Sequence, residues 1–477
     1  MPVSQKITIE PVTRIEGHGK VTIHLDDEGE VACTYFHVNE FRGLEKFCEG
    51  RMFFEMPMIT QRICGICPVS HHLAAAKTCD AILGVEIPRP ARLLRELMHM
   101  AQFVQTHSMH FFYLAGPDLL LGMEADTAKR NLLGLVESHP QLALQAVKLR
   151  KFGQSIIERL GGKRVHPSFA VAGGVNSALH PADRDVILKE VEEAIPMILS
   201  SLKLFRDWYD ENQELVWSFA SFPSAYMGLV DDNGSLELYD GSIRIKDENG
   251  NTIVDRHDPT DYLSLIAEHV EDWSYLKFPY YRALGWPQGS YRVGPLGRLN
   301  VVDSVGTPLA QEEFERFKAL SDGMLQGSML YHYARLIEDL YAAERIAELL
   351  HDPEILSTDI LSNSDQITGE GVGVIEAPRG TLIHHYKTDE TGKLTKVNLI
   401  VAAGHNNWAM GKAVEVVARQ YIRRGKLTEG LLNRVEAAIR CYDPCLSCST
   451  HALGEMPLKV QLISSRGEFL GELSRSF

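Results

Sequence analysis

Apolar residues recur at three-to-four spacing over four long stretches, residues 89–114, 127–160, 181–211 and 308–351, and this period predicts four long helices. Nearer the N-terminus the period changes. Residues 20–25 and 31–38 alternate or run apolar around the turn-forming Asp26-Asp-Glu-Gly-Glu30, which predicts a small β region. A second β excursion is predicted over about 222–256, with turn signals at Asn233-Gly234 and Asn249-Gly250. A hairpin follows over 381–402, turning at Asp389-Glu-Thr-Gly392, and a last helix spans about 408–440. No internal repeat, low-complexity linker or domain boundary interrupts this order. The pattern is that of an α+β protein: one large helix-rich unit with a long helical bundle core, a small N-terminal β region and peripheral β hairpins, its two ends meeting in the middle.

A length of 477 residues would also accommodate several ordinary domains, and the 45% apolar content places the chain among globular proteins. The net charge of −15 argues against nucleic acid or an anionic membrane surface as partner. No signal peptide is legible, and no apolar run is long enough to span a bilayer. A cytoplasmic protein without a membrane span is expected, unless a partner carrying a signal exports it.

The chemistry sits in two Cys-x-x-Cys pairs near opposite ends, Arg62-Ile-Cys64-Gly-Ile-Cys67-Pro-Val-Ser-His71 and Asp443-Pro-Cys445-Leu-Ser-Cys448-Ser-Thr-His451. Four soft thiolates suit a transition metal. The alternatives are structural zinc, a zinc-structured scaffold being the non-enzyme reading, and a dithiol redox switch. Structural zinc sites draw their ligand pairs from nearby segments, whereas Cys64 and Cys445 are 381 positions apart, so a local zinc ribbon is disfavoured. The remaining thiols, Cys33, Cys48, Cys79 and Cys441, are expected to be small buried hydrophobes.

The residues around the two pairs resemble the signature motifs of the [NiFe]-hydrogenase large subunit. Thr13-Arg-Ile-Glu16-Gly-His18, Phe41-Arg-Gly-Leu-Glu45 and Glu376-Ala-Pro-Arg379-Gly extend the resemblance in the family's order over essentially the whole chain. Tyr291-Arg-Val-Gly-Pro-Leu-Gly-Arg298 and the run 369–379 are closest to the cytoplasmic, bidirectional NAD-reducing group.

The resemblance implies reversible heterolytic cleavage of H2 at a Ni-Fe centre whose iron carries CO and cyanide. Cys64 and Cys445 would be terminal nickel ligands, and Cys67 and Cys448 would bridge nickel to iron. Cys445 would take the proton, with Glu16 as the next carrier, although alone Glu16 reads as a surface carboxylate beside Arg14. Arg379, after Pro378, would hang over the open metal position with Asp443 and Asp118 offsetting its charge, where an isolated Arg reads as a surface residue. His71, otherwise an ordinary helix-start residue, would donate towards a bridging sulfur. Glu45 and His451 would hold a separate Mg2+.

Two further expectations concern the C-terminal part. Where the family often has Pro-Ser/Thr-Thr, this chain has Val401-Ala-Ala-Gly-His-Asn406, so the hydroxyl that would meet an iron-bound cyanide is missing near Ala402 to Gly404. Residues 1–451 would be the mature large-subunit domain and 452–477 a propeptide removed by a maturation endopeptidase. The tail would form a hairpin turning at Arg466-Gly467 and hold the second Cys pair away from the core. No cysteines remain for a cluster, and no Gly-x-Gly-x-x-Gly marks a dinucleotide site. Electrons would therefore leave through partners: a small subunit with iron-sulfur clusters, and a diaphorase module carrying FMN and binding NAD. NADP, deazaflavin or sulfur are the alternative acceptors.

Overall fold

The computed structural model describes residues 5–40, 42–423, 428–451, 458–463 and 469–475. Arg89–Met109 lies at the centre of a helical bundle, packed against Pro140–Gly161, Leu330–His351 and Pro68–Leu83. Pro181–Glu211 closes the bundle against Leu330–His351. No helix among the described residues is long and apolar enough to cross a membrane.

Three of the predicted elements are broken, each at a local signal that apolar periodicity does not see. The 127–160 stretch divides into Leu132–Ser138, capped by the Asn131 side chain, and Pro140–Gly161, whose leading proline has no N–H to continue the first helix. The 308–351 stretch divides into Pro308–Lys318 and Leu330–His351, with Gly323 and Gly327 between them. The last helix is two, Asn407–Tyr421 and Glu429–Arg440, the second capped by Thr428. The 89–114 stretch is continuous, but its end widens into a π-helical turn, His110–Ala115.

The N-terminal β region is an antiparallel sheet of Gln5–Ile9, Lys20–Leu25 and Val31–His37. The second excursion forms Ala225–Val230, Ser242–Lys246 and Thr252–His257, extended by the short parallel strand Tyr291–Arg292. The predicted hairpin is Gly380–Thr388 with Leu394–Ile400, and it gains a third strand, Glu370–Ala377. That strand lies directly on helix Pro68–Leu83. A Cβ on Gly373 would meet the Ala74 carbonyl at 2.4 Å, and one on Gly371 the Thr78 carbonyl at 2.5 Å, so glycine permits the contact. The fold thereby fixes the turn after Ala377 relative to the helix that follows Cys67.

Leu458–Ile463 and Phe469–Arg475 pair antiparallel as the expected tail hairpin, while its turn at Arg466-Gly467 lies outside the described residues, as does Phe41 of the N-terminal motif. One continuous hydrophobic core contains all of Cys48, Cys64, Cys67, Cys79, Cys441, Cys445 and Cys448. Cys33 departs from the expectation of burial: it is only partly covered.

Candidate metal centre

Each Cys pair is delivered at the start of a helix. Cys67 occupies the N-cap of Pro68–Leu83, and Cys445 that of the short helix Leu446–Ser449. Before the second pair the backbone turns sharply, with Asp443 at φ 51° and Pro444 next. The N-terminus then locks against this turn. Glu16 bridges Cys445 in parallel, the Leu446 N–H donates to the Glu16 carbonyl at 3.0 Å, and the Ser447 N–H donates to Glu16 Oε2 at 3.0 Å. These anchors hold the second pair in the core while the tail is present, so the expectation that the tail keeps it away is not met.

The four sulfurs converge. Cys64 and Cys445 Sγ are 3.2 Å apart, Cys67 and Cys448 3.4 Å, and Cys445 and Cys448 2.9 Å. All four lie within 4.8 Å of one another and none is more than 5% exposed. Hydrogen bonds from Cys445, Cys448 and Cys67 hold the Cys64 thiol well below its ordinary pKa, whereas burial first, and then Cys64 and Cys67, hold Cys445 and Cys448 well above theirs. Protein alone thus resists ionising Cys445 and Cys448 here, and a bound soft cation is what would let them ionise.

Arg379 stands in the two-residue turn Pro378-Arg379, closed by the Ala377–Gly380 pair. Only glycine fits at 380: its φ is 138°, and a Cβ would lie 2.2 Å from Val293 Cγ2. Arg379 is 2% exposed. Its Nε donates to the Asp443 carbonyl at 2.6 Å and its Nη2 pairs with the Asp443 carboxylate at 3.2 Å. Burial opposes the charge, but Asp443 and the Cys445, Cys67 and Cys64 sulfurs outweigh it, so the guanidinium pKa rises. Its Nη1 has no hydrogen-bond partner among the described residues. Beside the sulfurs lies a pocket walled by Ala377, Leu382, Val401, Ala402 and Ala403, with Ser70, His71 and Arg379 on its rim. A thiolate-bound metal carrying further small ligands fits this donor set and this pocket. A zinc site closed by four sulfurs would leave the pocket and the spare Arg379 N–H unexplained.

His71 is buried and its Nε2 is 3.4 Å from Cys448 Sγ. Burial pushes His71 down to about 4, so its ring is neutral. Its Nδ1 meets His384 Nε2 at 3.2 Å, and His384 Nδ1 meets the Tyr386 hydroxyl at 2.5 Å. An ionised Cys448 can only accept, which orders the chain as Tyr386 to His384 to His71 to sulfur. Neither His384 nor Tyr386 was singled out in the sequence; only the alternation of the strand Gly380–Thr388, which puts 384 and 386 on one face, could have suggested them.

Asp118 has a different place from the one expected. Arg14 Nη2 reaches its Oδ1 at 2.5 Å, Arg440 Nη1 its Oδ2 at 2.6 Å, and Asn433 Nδ2 its Oδ1 at 3.0 Å. Burial works to raise its pKa, but Arg440 and Arg14 prevail and lower it. With these partners Asp118 makes no ion pair to Arg379, whose carboxylate partner among the described residues is Asp443. Arg440 Nε also donates to the Thr13 carbonyl at 2.9 Å, so the cluster anchors the segment that carries Glu16.

Glu45 and His451 are brought together. Glu45 Oε1 lies 3.5 Å from His451 Nε2, a buried nitrogen without a hydrogen-bond partner among the described residues, and accepts the Leu399 N–H at 2.7 Å. Arg298 is a further residue whose part only the fold reveals. It is wholly buried, pairs with Glu338 at 2.6 Å and Glu376 at 2.7 Å, and donates to the Ala377 and Pro378 carbonyls at 2.9 and 3.1 Å. It therefore holds the turn that aims Arg379.

Comparison with known proteins agrees with this geometry. A family model described as nickel-dependent hydrogenase matches residues 42–133 and 225–451, and a HoxL-like model matches 6–41. The chain is 47% identical to the NAD-reducing hydrogenase HoxS subunit beta of Cupriavidus necator, over 99% of this chain and 100% of that one. It is 44% identical to a chain of the F420-non-reducing hydrogenase of Methanothermobacter thermautotrophicus, over 94% and 95%. A solved NAD+-reducing [NiFe]-hydrogenase in the H2-reduced state superposes with a TM-score of 0.92 at 45% identity, covering 94% of this chain and 100% of that one. The [NiFeSe]-hydrogenase of Dm. baculatum, at 22% identity and a TM-score of 0.77, shares the fold. With the matched segments carrying both Cys pairs into one four-sulfur cluster, the chain belongs to the nickel-dependent hydrogenase family.

Proposed function

We propose that this chain is the catalytic large subunit of a [NiFe]-hydrogenase that cleaves H2 reversibly and whose electrons reach NAD through partner subunits. The observation that carries the reading is the convergence of four buried thiols beneath an Arg379 N–H that has no partner of its own. When bound, a nickel–iron pair with CO and cyanide on iron supplies the Lewis-acid and redox chemistry for heterolytic H2 cleavage. Cys64, Cys67, Cys445 and Cys448 would hold the two metals through their thiolates, Cys64 and Cys445 on nickel alone and Cys67 and Cys448 shared with iron. Cys445 Sγ takes the proton and passes it to the Glu16 carboxylate, whose backbone is already paired to Cys445. Arg379 stabilises charge over the open side of the cluster. His71 donates to Cys448 and lowers the electron density of that sulfur.

Glu45 and His451 would offer an oxygen and a nitrogen to Mg2+. The mature chain ends at His451, an endopeptidase having removed 452–477; the end of the family match at residue 451 supports this boundary. A small subunit with iron-sulfur clusters takes the electrons, and a diaphorase module with FMN passes them to NAD, in the cytoplasm. Support for NAD comes from the relative that bears that description at 47% identity.

The test is anaerobic purification of the complex. Nickel near one per large subunit, iron in excess of that from the partner's clusters, infrared bands of metal-bound CO and cyanide, and H2-dependent NAD reduction are expected. Zinc in place of nickel with no such bands would overturn the reading.

A further inference from the structure

We infer that Ser70 supplies the hydroxyl that hydrogen-bonds an iron-bound cyanide, in place of the side chain this chain lacks at 402–404. The inference rests on the hydrogenase reading above and adds a ligand-binding residue to it.

Ser70 sits in the first turn of helix Pro68–Leu83, three residues after Cys67, and is 0% exposed. Its Oγ has no hydrogen-bond partner among the described residues. A buried hydroxyl without an acceptor has given up its hydration with nothing in return, and native interiors avoid that arrangement unless something else occupies the space. Ser70 lines the pocket beside the sulfurs together with Cys448, Ala402 and Ala403. The Ala402 and Ala403 side chains present only carbon there, so the wall that lacks a hydroxyl and the helix that carries a spare one border the same small space.

The polarity of the pocket identifies the acceptor. Two of the lining residues have polar side-chain atoms left without partners, Ser70 Oγ and Arg379 Nη1. Arg379 Nη1 is a donor only, and a hydroxyl is free to donate, so the occupant must offer acceptor atoms at its ends and tolerate hydrocarbon along its sides. A bridging water needs two to four polar partners of both kinds and finds few here. Cyanide has a strongly accepting nitrogen at the end of a slim rod, whereas CO is a poor acceptor. The Ser70 hydroxyl therefore serves a cyanide, withdrawing electron density from iron through it and fixing which ligand occupies that position.

The experiment compares infrared spectra of the anaerobic complex bearing wild-type, S70A and S70T large subunits, with nickel and iron measured on each. With S70A, the two cyanide bands are expected to move unequally, so that their separation changes, and the CO band to fall slightly as iron becomes more electron-rich. S70T is expected to restore the wild-type pattern. Where S70A fails to load metal, S70T against S70V, equal in shape, repeats the comparison. Unchanged cyanide bands, or a shift that leaves the separation of the two cyanide bands as in the wild type, would overturn the role of Ser70 while leaving the hydrogenase reading intact. Absence of the bands in the wild-type complex would overturn both.

Discussion

Cys64 Sγ lies 3.2 Å from Cys445 Sγ across 381 residues of sequence. Thiols so far apart in the chain cannot bind metal locally. The site exists only when the N-terminal segment 13–17, helix Pro68–Leu83 and the turn at Asp443 are all in place. Replacement of Cys445 by Ser is expected to abolish nickel binding and H2-dependent activity while leaving helix content unchanged. Elemental analysis and circular dichroism on the purified complex would check this; full nickel occupancy in the variant would count against Cys445 as a ligand.

Arg379 has a planar fork, one arm on Asp443 and the other without a partner among the described residues, at the pocket beside the sulfurs. Lysine keeps the charge and loses that geometry. Arg379→Lys is expected to lower kcat by roughly 100-fold, the scale for losing one aimed donor, with nickel content unaltered. Steady-state H2 oxidation with metal analysis decides it.

Glu16 accepts the Ser447 N–H through its carboxylate. Glutamine retains an accepting oxygen but carries no acidic proton, so Glu16→Gln is expected to slow H2 oxidation by about 100-fold or more without loss of metal. A variant with undiminished turnover would show that protons leave by another route.

Arg298, wholly buried, neutralises Glu338 and Glu376 and braces the Pro378-Arg379 turn. Arg298→Met strands two buried carboxylates, and a loss of about 3–5 kcal/mol in stability is expected. Denaturant unfolding would measure it. The double variant with Glu338→Gln should be less impaired, because one stranded charge is gone.

Burial and the Glu96 carboxylate push Glu237 up to about 7. In the unfolded chain the same group ionises near the ordinary 4.5, so between those values the unfolded state has already shed a proton that the folded state keeps. Stability from this group is present below 4.5, falls as pH rises towards 7, and is fully lost above 7. Glu237→Gln keeps an oxygen for the Tyr239 and Asp240 N–H groups and should flatten that slope. Thermal unfolding at about pH 5 and about pH 7.5 provides the comparison, and equal slopes for the two proteins would refute the assignment.

Much of the fold is legible in the chain. The bundle helices, the N-terminal sheet and the 381–402 hairpin all follow from periodicity, and Pro181–Glu211 matches its predicted bounds despite the internal Pro196. The breaks at Pro140, at 319–329 and before Glu429 are missed because a cap or a glycine interrupts a helix without disturbing its apolar period. Strand Glu370–Ala377 is missed because its glycines, which weaken a strand signal, are there to let its backbone touch helix Pro68–Leu83.

By itself the sequence determined the four thiols of the cluster and their grouping in two pairs, and its resemblance to a family pointed to Arg379, His71, Glu45 and His451 as the residues to look for around them. Ligand chemistry is a property of the side chain and its close neighbours, so short motifs carry it. Only the tertiary structure decided which residues share a pocket. Asp118 is surrounded by Arg14, Arg440 and Asn433 rather than placed beside Arg379, and Ser70, His384 and Arg298 turn towards the site from three separate elements. Those partnerships depend on how distant backbones pack, on glycine contacts and buried charge pairs that no local pattern encodes.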